Sequence, residues 1–502
     1  MRWLAVAGIC AALVVVAVRF GSYVAGGSDS YCYVHQAERW ASARLLEPDP
    51  LAIEAPWPNA PLTFAPAGHV PSPTVRGAIV PICPPGLSML MAPALAIGGR
   101  ATMFAVVPLC GLLLVVATFL LGTRISEGTG LAAAAATAAS PIVLYQLIQP
   151  MSDVPAAAFW VLALALATRS PAPASVAAGV CGGIAILVRP NLVPLGFVIG
   201  GYLLLRPGAS WGERLRDAVR YAIGCAAGCL AVAAVQQHFY GSPLSSGYGA
   251  AGDLYSIDRV GPNMSRYAAW LAQSHGPLLA LAVVAPFVVA RPFAATGLAF
   301  VLVNVVLYLP YLTFDDWPYV RFLLPSVPVL AVLAMGTVQR LAARAGPRAV
   351  PVALSIAALA LAALQLREAG ARQVFHLAEL ESVFERAGRM TGTRLPRNAL
   401  VVTSRFSGAV RFYASRRTLV WDVLDPASLD VALAFAREKG LEPYLLLDSG
   451  EEPAFRERFA SSMVGRLDWP PQIEIAPQVR LYRPAARDRY LAGETFTTEY
   501  VR

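Results

Sequence analysis

From residue 3 to about residue 366, long apolar runs alternate with short polar connections, and beyond that point the pattern changes. A helix that crosses about 30 Å of hydrocarbon needs about 20 mostly apolar residues. Runs approaching that length lie at 3–20, 101–122, 129–148, 153–168, 173–188, 191–206, 217–236, 277–291, 294–312, 320–339 and 348–366. Several are short, so their ends must borrow neighbours or tilt. The run 3–20 follows a single arginine, as a signal peptide would. Its stretch Ala11 to Phe20 offers no small-residue cleavage site, so it reads as an uncleaved first span. Residues 83–98 open with Pro84 and Pro85 and are short, which suits a re-entrant or juxtamembrane helix.

After residue 367 the periodicity becomes that of a water-soluble chain. Phe375, Leu377, Leu380 and Phe384 recur near helical spacing between charged residues, which predicts an amphipathic helix over 367–390. Short apolar runs at 399–403, 418–421 and 444–447 then alternate with helical patterns at 408–414, 428–439 and 452–461, the rhythm of a small α/β domain. The predicted class is mainly α: a polytopic bundle of about 11–13 helices over 1–366, with a first loop at 21–82. A linker helix at 367–393 and an α/β domain and tail at 394–502 complete the chain.

Composition agrees with a bilayer as solvent. The chain is 57% hydrophobic and 14% charged over 502 residues, an apolar load that a soluble domain cannot bury. Of 40 basic residues only Lys439 is lysine, which points to a GC-rich bacterial genome and a cytoplasmic (inner) membrane location. The net charge of +9 does not mark a nucleic-acid partner, because the arginines are scattered between apolar runs. Connections holding Arg124, Arg169, Arg206 with Arg214, Arg216 and Arg220, Arg291, and Arg340 with Arg344 and Arg348 fall on alternate turns. Positive charge retained on the cytoplasmic side places these inside together with the amino terminus. Loop 21–82, the connections at 150–153, 189–191, 237–276 and 313–319, and everything after about 367 then face out, provided 83–98 does not cross completely. Cys32 and Cys83 share that first outward loop, and the sequence leaves open whether they pair. The other cysteines lie in apolar runs, and no metal or haem motif is readable.

Polar groups of chemical interest gather on the outward connections. Asp29, in Gly26-Gly27-Ser28-Asp29-Ser30-Tyr31, follows the first span directly; by itself it is more simply a helix cap. Asp153 begins another outward span end, where capping again competes. Arg189 stands at an outward end against the charge trend and needs an anionic partner, either Asp153 or the phosphate of a ligand. Arg321 follows Asp315, Asp316, Trp317 and Tyr319; the two aromatics read as interfacial anchors, while a guanidinium fork suits a phosphate. Tyr31, Tyr240 and Tyr248 lie in Gly- and Ser-rich outward stretches suited to covering a ligand, as an ordinary polar loop would be. Together these groups fit transfer from a lipid phosphate, with arginines on the phosphate and a carboxylate taking the proton of an incoming hydroxyl. Asp422, Asp425 and Asp448 sit at strand ends of the α/β region, where solvated loop acids are the simpler reading.

These stretches resemble the GT-C superfamily, which includes protein O-mannosyltransferases and the aminoarabinose transferase of lipid A. The resemblance rests on GGSDSYCYVHQAERW with Asp29, on Ile79 to Leu87 as the Pro-rich start of the next helix, on PMSDVPAAAFW with Asp153, and on LVRPN, YGSPLSSGYG and RFLLPSVP. It spans about 1–340. It implies an integral membrane glycosyltransferase with a polyprenyl-phosphate sugar donor and a glycan, lipid or protein acceptor. Asp29 would be the general base, Asp153 a second catalytic acid, and Arg189 and Arg321 the phosphate ligands. Asp29 is flanked by Ser28 and Ser30 rather than a second acid, which favours an inverting reaction without a metal or other cofactor. Two other readings remain: a transporter or flippase of a lipid-linked substrate, and a non-catalytic membrane assembly protein whose outer domain binds a partner.

Overall fold

The computed structural model describes residues 2–169, 172–475 and 478–501. The chain divides into two compact units, one of Met1–Tyr23, Pro84–Val235 and Gly249–Ala378, the other of Val24–Cys83, Gln236–Tyr248 and Glu379–Arg502.

The first unit is helical. Among the described residues, six helices are long and apolar enough to cross a bilayer: Arg2–Phe20, Pro85–Phe104, Trp211–Tyr240, Arg291–Tyr308, Ser326–Ala345 and Ala349–Ala371. Two further pairs bend sharply, Glu127–Ala139 with Pro141–Leu147 at 63° and Ile257–Gly276 with Ala280–Val288 at 81°. Four shorter apolar helices accompany them: Val106–Gly122, Asp153–Ala167, Pro173–Val188 and Pro190–Leu205. The first bend falls where Ser140 leaves helical geometry ahead of Pro141, since proline disfavours a helical conformation in the residue before it. The segment expected to be juxtamembrane is longer than the sequence suggested. It runs from Pro85 to Phe104 and is interrupted at Gly99, whose φ of 75° is open to glycine.

Small residues set the closest packing. Gly179 and Gly183 on one helix, and Gly224 and Gly228 on another, each recur four residues apart and so line one face. A Cβ placed at Gly224 would lie 2.2 Å from the carbonyl carbon of Gly179, and one at Gly228 would lie 2.4 Å from the carbonyl oxygen of Gly183. Only glycine permits that approach of backbones, the usual device of helix association in lipid. Elsewhere Val6, Leu13, Val115, Phe119, Leu144, Leu147 and Ala369 gather into one apolar cluster.

The second unit is built on two sheets. A three-stranded antiparallel sheet, order β1-β3-β2, comes from β1 (Glu47–Pro48), β2 (His69–Pro71) and β3 (Ala78–Pro81). A six-stranded mixed sheet has the order β5-β4-β6-β8-β7-β9, from β4 (Ala399–Val402), β5 (Arg417–Leu419), β6 (Glu442–Asp448), β7 (Ile473–Ile475), β8 (Val479–Tyr482) and β9 (Glu499–Val501). The parallel part, β5-β4-β6, carries the helices Ser407–Ala414 and Leu429–Glu438 and matches the alternation read from sequence. The antiparallel part, β8-β7, with β9 parallel to β7, is an addition whose strands are too short for periodicity to reveal.

The expected amphipathic helix over 367–390 is two pieces. The apolar helix ends at Ala371, Gln373 adopts φ 56°, and Leu377–Arg394 begins anew. Buried Val383, Phe384, Ala387 and Met390 of this second helix cover one face of the large sheet with Val401, Leu446 and Leu481. The other face packs with Leu51, Trp57 and Phe64 from the first loop, alongside Leu400, Leu419, Leu433 and Phe455. Cys32 and Cys83 form a disulfide across a separation of 51 residues, which decides the pairing that the sequence left open.

Candidate functional site

In the helical unit, Pro190 follows the helix Ala172–Val188 and leaves Arg189 in an extended conformation, φ −143° and ψ 89°. Its guanidinium is thereby turned toward two other segments. Nη2 lies 2.8 Å from Oδ1 of Asp153, Nε donates to Oγ of Ser152 at 3.2 Å, and Nη1 donates to the Tyr308 hydroxyl at 3.1 Å. The side chain of Asp153 is fully buried and that of Arg189 is 12% exposed. Of the two partners proposed for Arg189 from sequence, the structure thus contains the carboxylate. Asp153 is the first residue of its helix, and Ser152 occupies the cap position without a side-chain capping bond.

Tyr308 also accepts a hydrogen bond from Nδ2 of Asn191 at 2.6 Å, and its ring lies parallel to Phe322 with centroids 4.8 Å apart. Phe322 bears both arginines. The Arg189 guanidinium is 5.5 Å from its ring centroid and that of Arg321 is 5.4 Å away. Arg321 further lies 5.2 Å from the Tyr319 ring. Such contacts offset part of the cost of holding cations near an apolar phase. The segment that carries them is fastened by Asn263, whose Nδ2 donates to the carbonyls of Leu309 at 3.0 Å and Tyr311 at 2.7 Å. Burial pushes the Tyr311 phenol up to about 12, against the pull of Arg189 and Arg321. Asp153, Arg189 and Arg321, separated by more than 160 residues, are therefore brought into one cluster around Phe322 and Tyr308.

Asp29, Tyr31, Tyr240 and Tyr248 belong to the other unit. Asp29 is the first residue of the helix Asp29–Ala41 and is half-buried; Ser28 holds the cap position, again without a side-chain capping bond. Its turn is tightly held. Ala25 N donates to the Tyr413 hydroxyl at 3.1 Å, Tyr31 N to the Gly26 carbonyl at 3.3 Å, and Cys32 N to the Ser28 carbonyl at 3.0 Å. Tyr31 is wholly buried, its ring seated where a Cβ on Gly408 would come within 2.4 Å. The Tyr240 hydroxyl donates to the Pro81 carbonyl at 2.6 Å, while Tyr248 stays 38% exposed.

Beside Tyr31 lies a polar cluster that no single motif announces. Nδ1 of His35 is 2.9 Å from Nε2 of His69, and Nε2 of His35 is 3.0 Å from Oε2 of Glu47. Arg39 and Arg411 reach Glu47 at 3.5 and 3.2 Å, and Arg411 and Arg417 reach Asp49 at 3.7 and 3.9 Å. Burial opposes ionisation of Glu47, yet the His35 hydrogen bond and the charges of Arg411 and Arg39 hold its carboxyl well below the usual carboxylate range. Burial and the adjacent His35 hold His69 well below the ordinary histidine value, while burial raises Asp49. An unfolded chain protonates its histidine near pH 6.5, so His69 withdraws stability as the pH falls below about 6.5. Glu47 supports the fold above its unfolded value and loses that contribution on further acidification; Asp49 works in the opposite direction within the lower window. The melting temperature of the full chain is expected to decline between about pH 6.5 and 5, and His69→Gln to flatten that part of the curve.

The fold is that of the GT-C membrane glycosyltransferases. Residues 83–236 match the family described as dolichyl-phosphate-mannose-protein mannosyltransferase. ArnT from Cupriavidus metallidurans bound to undecaprenyl phosphate aligns with a TM-score of 0.57 at 15% identity, over 90% of this chain and 94% of that one. The arabinofuranosyltransferase AftD from Mycobacteria aligns with a TM-score of 0.54 at 16% identity, over 96% of this chain and 40% of that one. The oligosaccharyltransferase of Archaeoglobus fulgidus, tethered with an acceptor peptide, aligns with a TM-score of 0.51 at 13% identity, over 92% and 71% respectively. No curated protein sequence matches the chain.

Proposed function

We propose that the protein is a membrane glycosyltransferase that moves a sugar from a polyprenyl-phosphate donor to a hydroxyl of a glycan, lipid or protein acceptor. The observation that carries this reading is the convergence of Arg189 and Arg321 on Phe322. Two guanidinium groups supported by aromatic rings are suited to a phosphate at headgroup depth, where they neutralise the charge that grows as the phosphate leaves. Asp153, paired with Arg189, orients that guanidinium. Asp29 is the proposed general base. The acceptor oxygen bonds to the anomeric carbon, the bond from that carbon to the phosphate oxygen breaks, and the hydroxyl proton passes to the Asp29 carboxylate. The polyprenyl phosphate departs with the electron pair, and the anomeric centre inverts. With no second acid adjoining Asp29, this route uses one base and no metal.

The reaction is assigned to the extracytoplasmic side of a bacterial inner membrane. The Cys32–Cys83 disulfide supports this, since such bonds persist in oxidising compartments. Domain limits at 366 and 394 and an acceptor-facing role for the α/β region belong to the same proposal. The ArnT structure with undecaprenyl phosphate supports a lipid-phosphate donor for this chain.

To test it, the purified full-length protein in lipid nanodiscs is incubated with a panel of radiolabelled polyprenyl-phosphate sugars and membrane extract. Label is expected to pass from one member of the panel to a defined product. Absence of transfer from every member, together with absence of undecaprenyl-phosphate binding, overturns the proposal.

A further inference from the structure

Arg321 is carried on Trp317–Leu323, a seven-residue 3₁₀ helix. Hydrogen bonds in such a helix are poorly aligned and runs beyond three or four residues are uncommon, so its course depends on side-chain contacts. The Phe322 end lies against Tyr308. The Trp317 end is held by a different group. The Arg372 guanidinium lies 4.9 Å from the Trp317 ring centroid, and the Tyr145 ring meets Trp317 edge-on at 5.2 Å between centroids. Trp317 and Tyr145 both pack on the apolar cluster that holds Leu144, Leu147, Ala369 and Val374.

Arg372 is itself fixed. It follows the helix Ala349–Ala371 directly, and its backbone N–H donates to the Glu368 carbonyl at 3.0 Å. Its Nε lies 3.3 Å from Oε2 of Glu368, and its Nη2 donates to Oε1 of Gln273 at 2.8 Å. Tyr145, Gln273 and Glu368 belong to three different helices, so the contact ties Trp317 to the frame of the bundle. The Arg372 side chain is only 14% exposed, and a cation on a ring is worth more out of water than at an open surface. Arg266 also meets Asp315 on this loop, but that carboxylate is 88% exposed, and pairs so open to solvent fix little. Four residues of 3₁₀ helix rise about 8 Å, which is the lever between the Trp317 clamp and Arg321.

We propose that Arg372 is a positioning residue for Arg321: it closes Trp317 against Tyr145 and so sets where the guanidinium four residues further on meets the donor phosphate. This rests on the reading of Arg321 as a phosphate ligand.

The test is a cycle of variants in the full-length protein in lipid nanodiscs, titrated with undecaprenyl phosphate below the melting temperature of each. Arg372→Gln is expected to weaken binding roughly three- to tenfold, the worth of one partly buried cation–π contact, and Arg372→Lys, which keeps a cation and a donor, to restore most of it. In an Arg321→Gln background Arg372→Gln should weaken binding no further, because a residue that acts through another has nothing left to act on. Trp317→Leu should reproduce the Arg372→Gln loss by a second route and make it insensitive to Arg372. A merely structural role would weaken binding by the same factor in both backgrounds, and that result overturns the proposal, as does an Arg372→Gln protein that binds like the parent. If Arg321→Gln itself binds undecaprenyl phosphate like the parent, the phosphate assignment falls and this proposal with it. The two failures are therefore distinguishable.

Discussion

Asp29→Asn is expected to abolish sugar transfer, lowering the rate by about a hundred- to ten-thousand-fold with little change in melting temperature. The magnitude is that of losing a positioned general base, and it corresponds to about 3–5 kcal/mol of transition-state stabilisation. Asparagine keeps the shape of the side chain and can still interact with the start of its helix, so the fold has little reason to respond. Rates measured with the preferred donor, beside a melting curve, decide the outcome. A variant that transfers sugar normally removes Asp29 from the chemistry and leaves it a helix-start residue. A transporter or an assembly protein would also survive this substitution, so the same measurement separates the enzyme from the other two readings of the sequence.

The second large effect concerns the two arginines, which should fail differently. Arg189→Gln strands the fully buried Asp153 carboxylate, and breaking a buried pair from one side costs about 3–5 kcal/mol. Arg321 is half-buried and rests on Tyr319 and Phe322, so Arg321→Gln should leave melting nearly unchanged. Its loss should appear as undecaprenyl-phosphate binding weakened roughly ten- to hundred-fold, the value of one or two charge-assisted hydrogen bonds. The double variant Asp153→Asn/Arg189→Gln removes both charges and should recover most of the stability without recovering binding. If it binds undecaprenyl phosphate as the parent does, Arg189 serves the fold alone.

The bundle was legible because hydrophobic length is a strong signal and the lipid environment leaves few alternatives. Its irregularities were less so. The bend ahead of Pro141 could be suspected from the proline, whereas the break at Gly276 arises in a chain that periodicity reads as ordinary loop and helix. Asp153, Arg189 and Arg321 stood out as charges at span ends, where they are costly enough to require a reason. Tyr308, Asn191 and Phe322, which complete that cluster, are unremarkable in sequence because aromatic and amide residues are common near membrane boundaries. His35, His69 and Glu47 come from three elements whose approach depends on tertiary folding.

The α/β unit draws Leu51, Trp57 and Phe64 into the same apolar face as Leu419 and Trp421. During synthesis those early side chains emerge long before the sheet that covers them exists. At ordinary elongation rates of about 5–20 residues per second, a gap of roughly 350 residues is a wait of about 20 to 70 seconds. Until then a greasy, aromatic surface stands uncovered, and truncated nascent chains would carry it permanently. A chain cut short before residue 399 keeps Leu51, Trp57 and Phe64 without the strands and helices that cover them, so truncation at that point is expected to lower solubility.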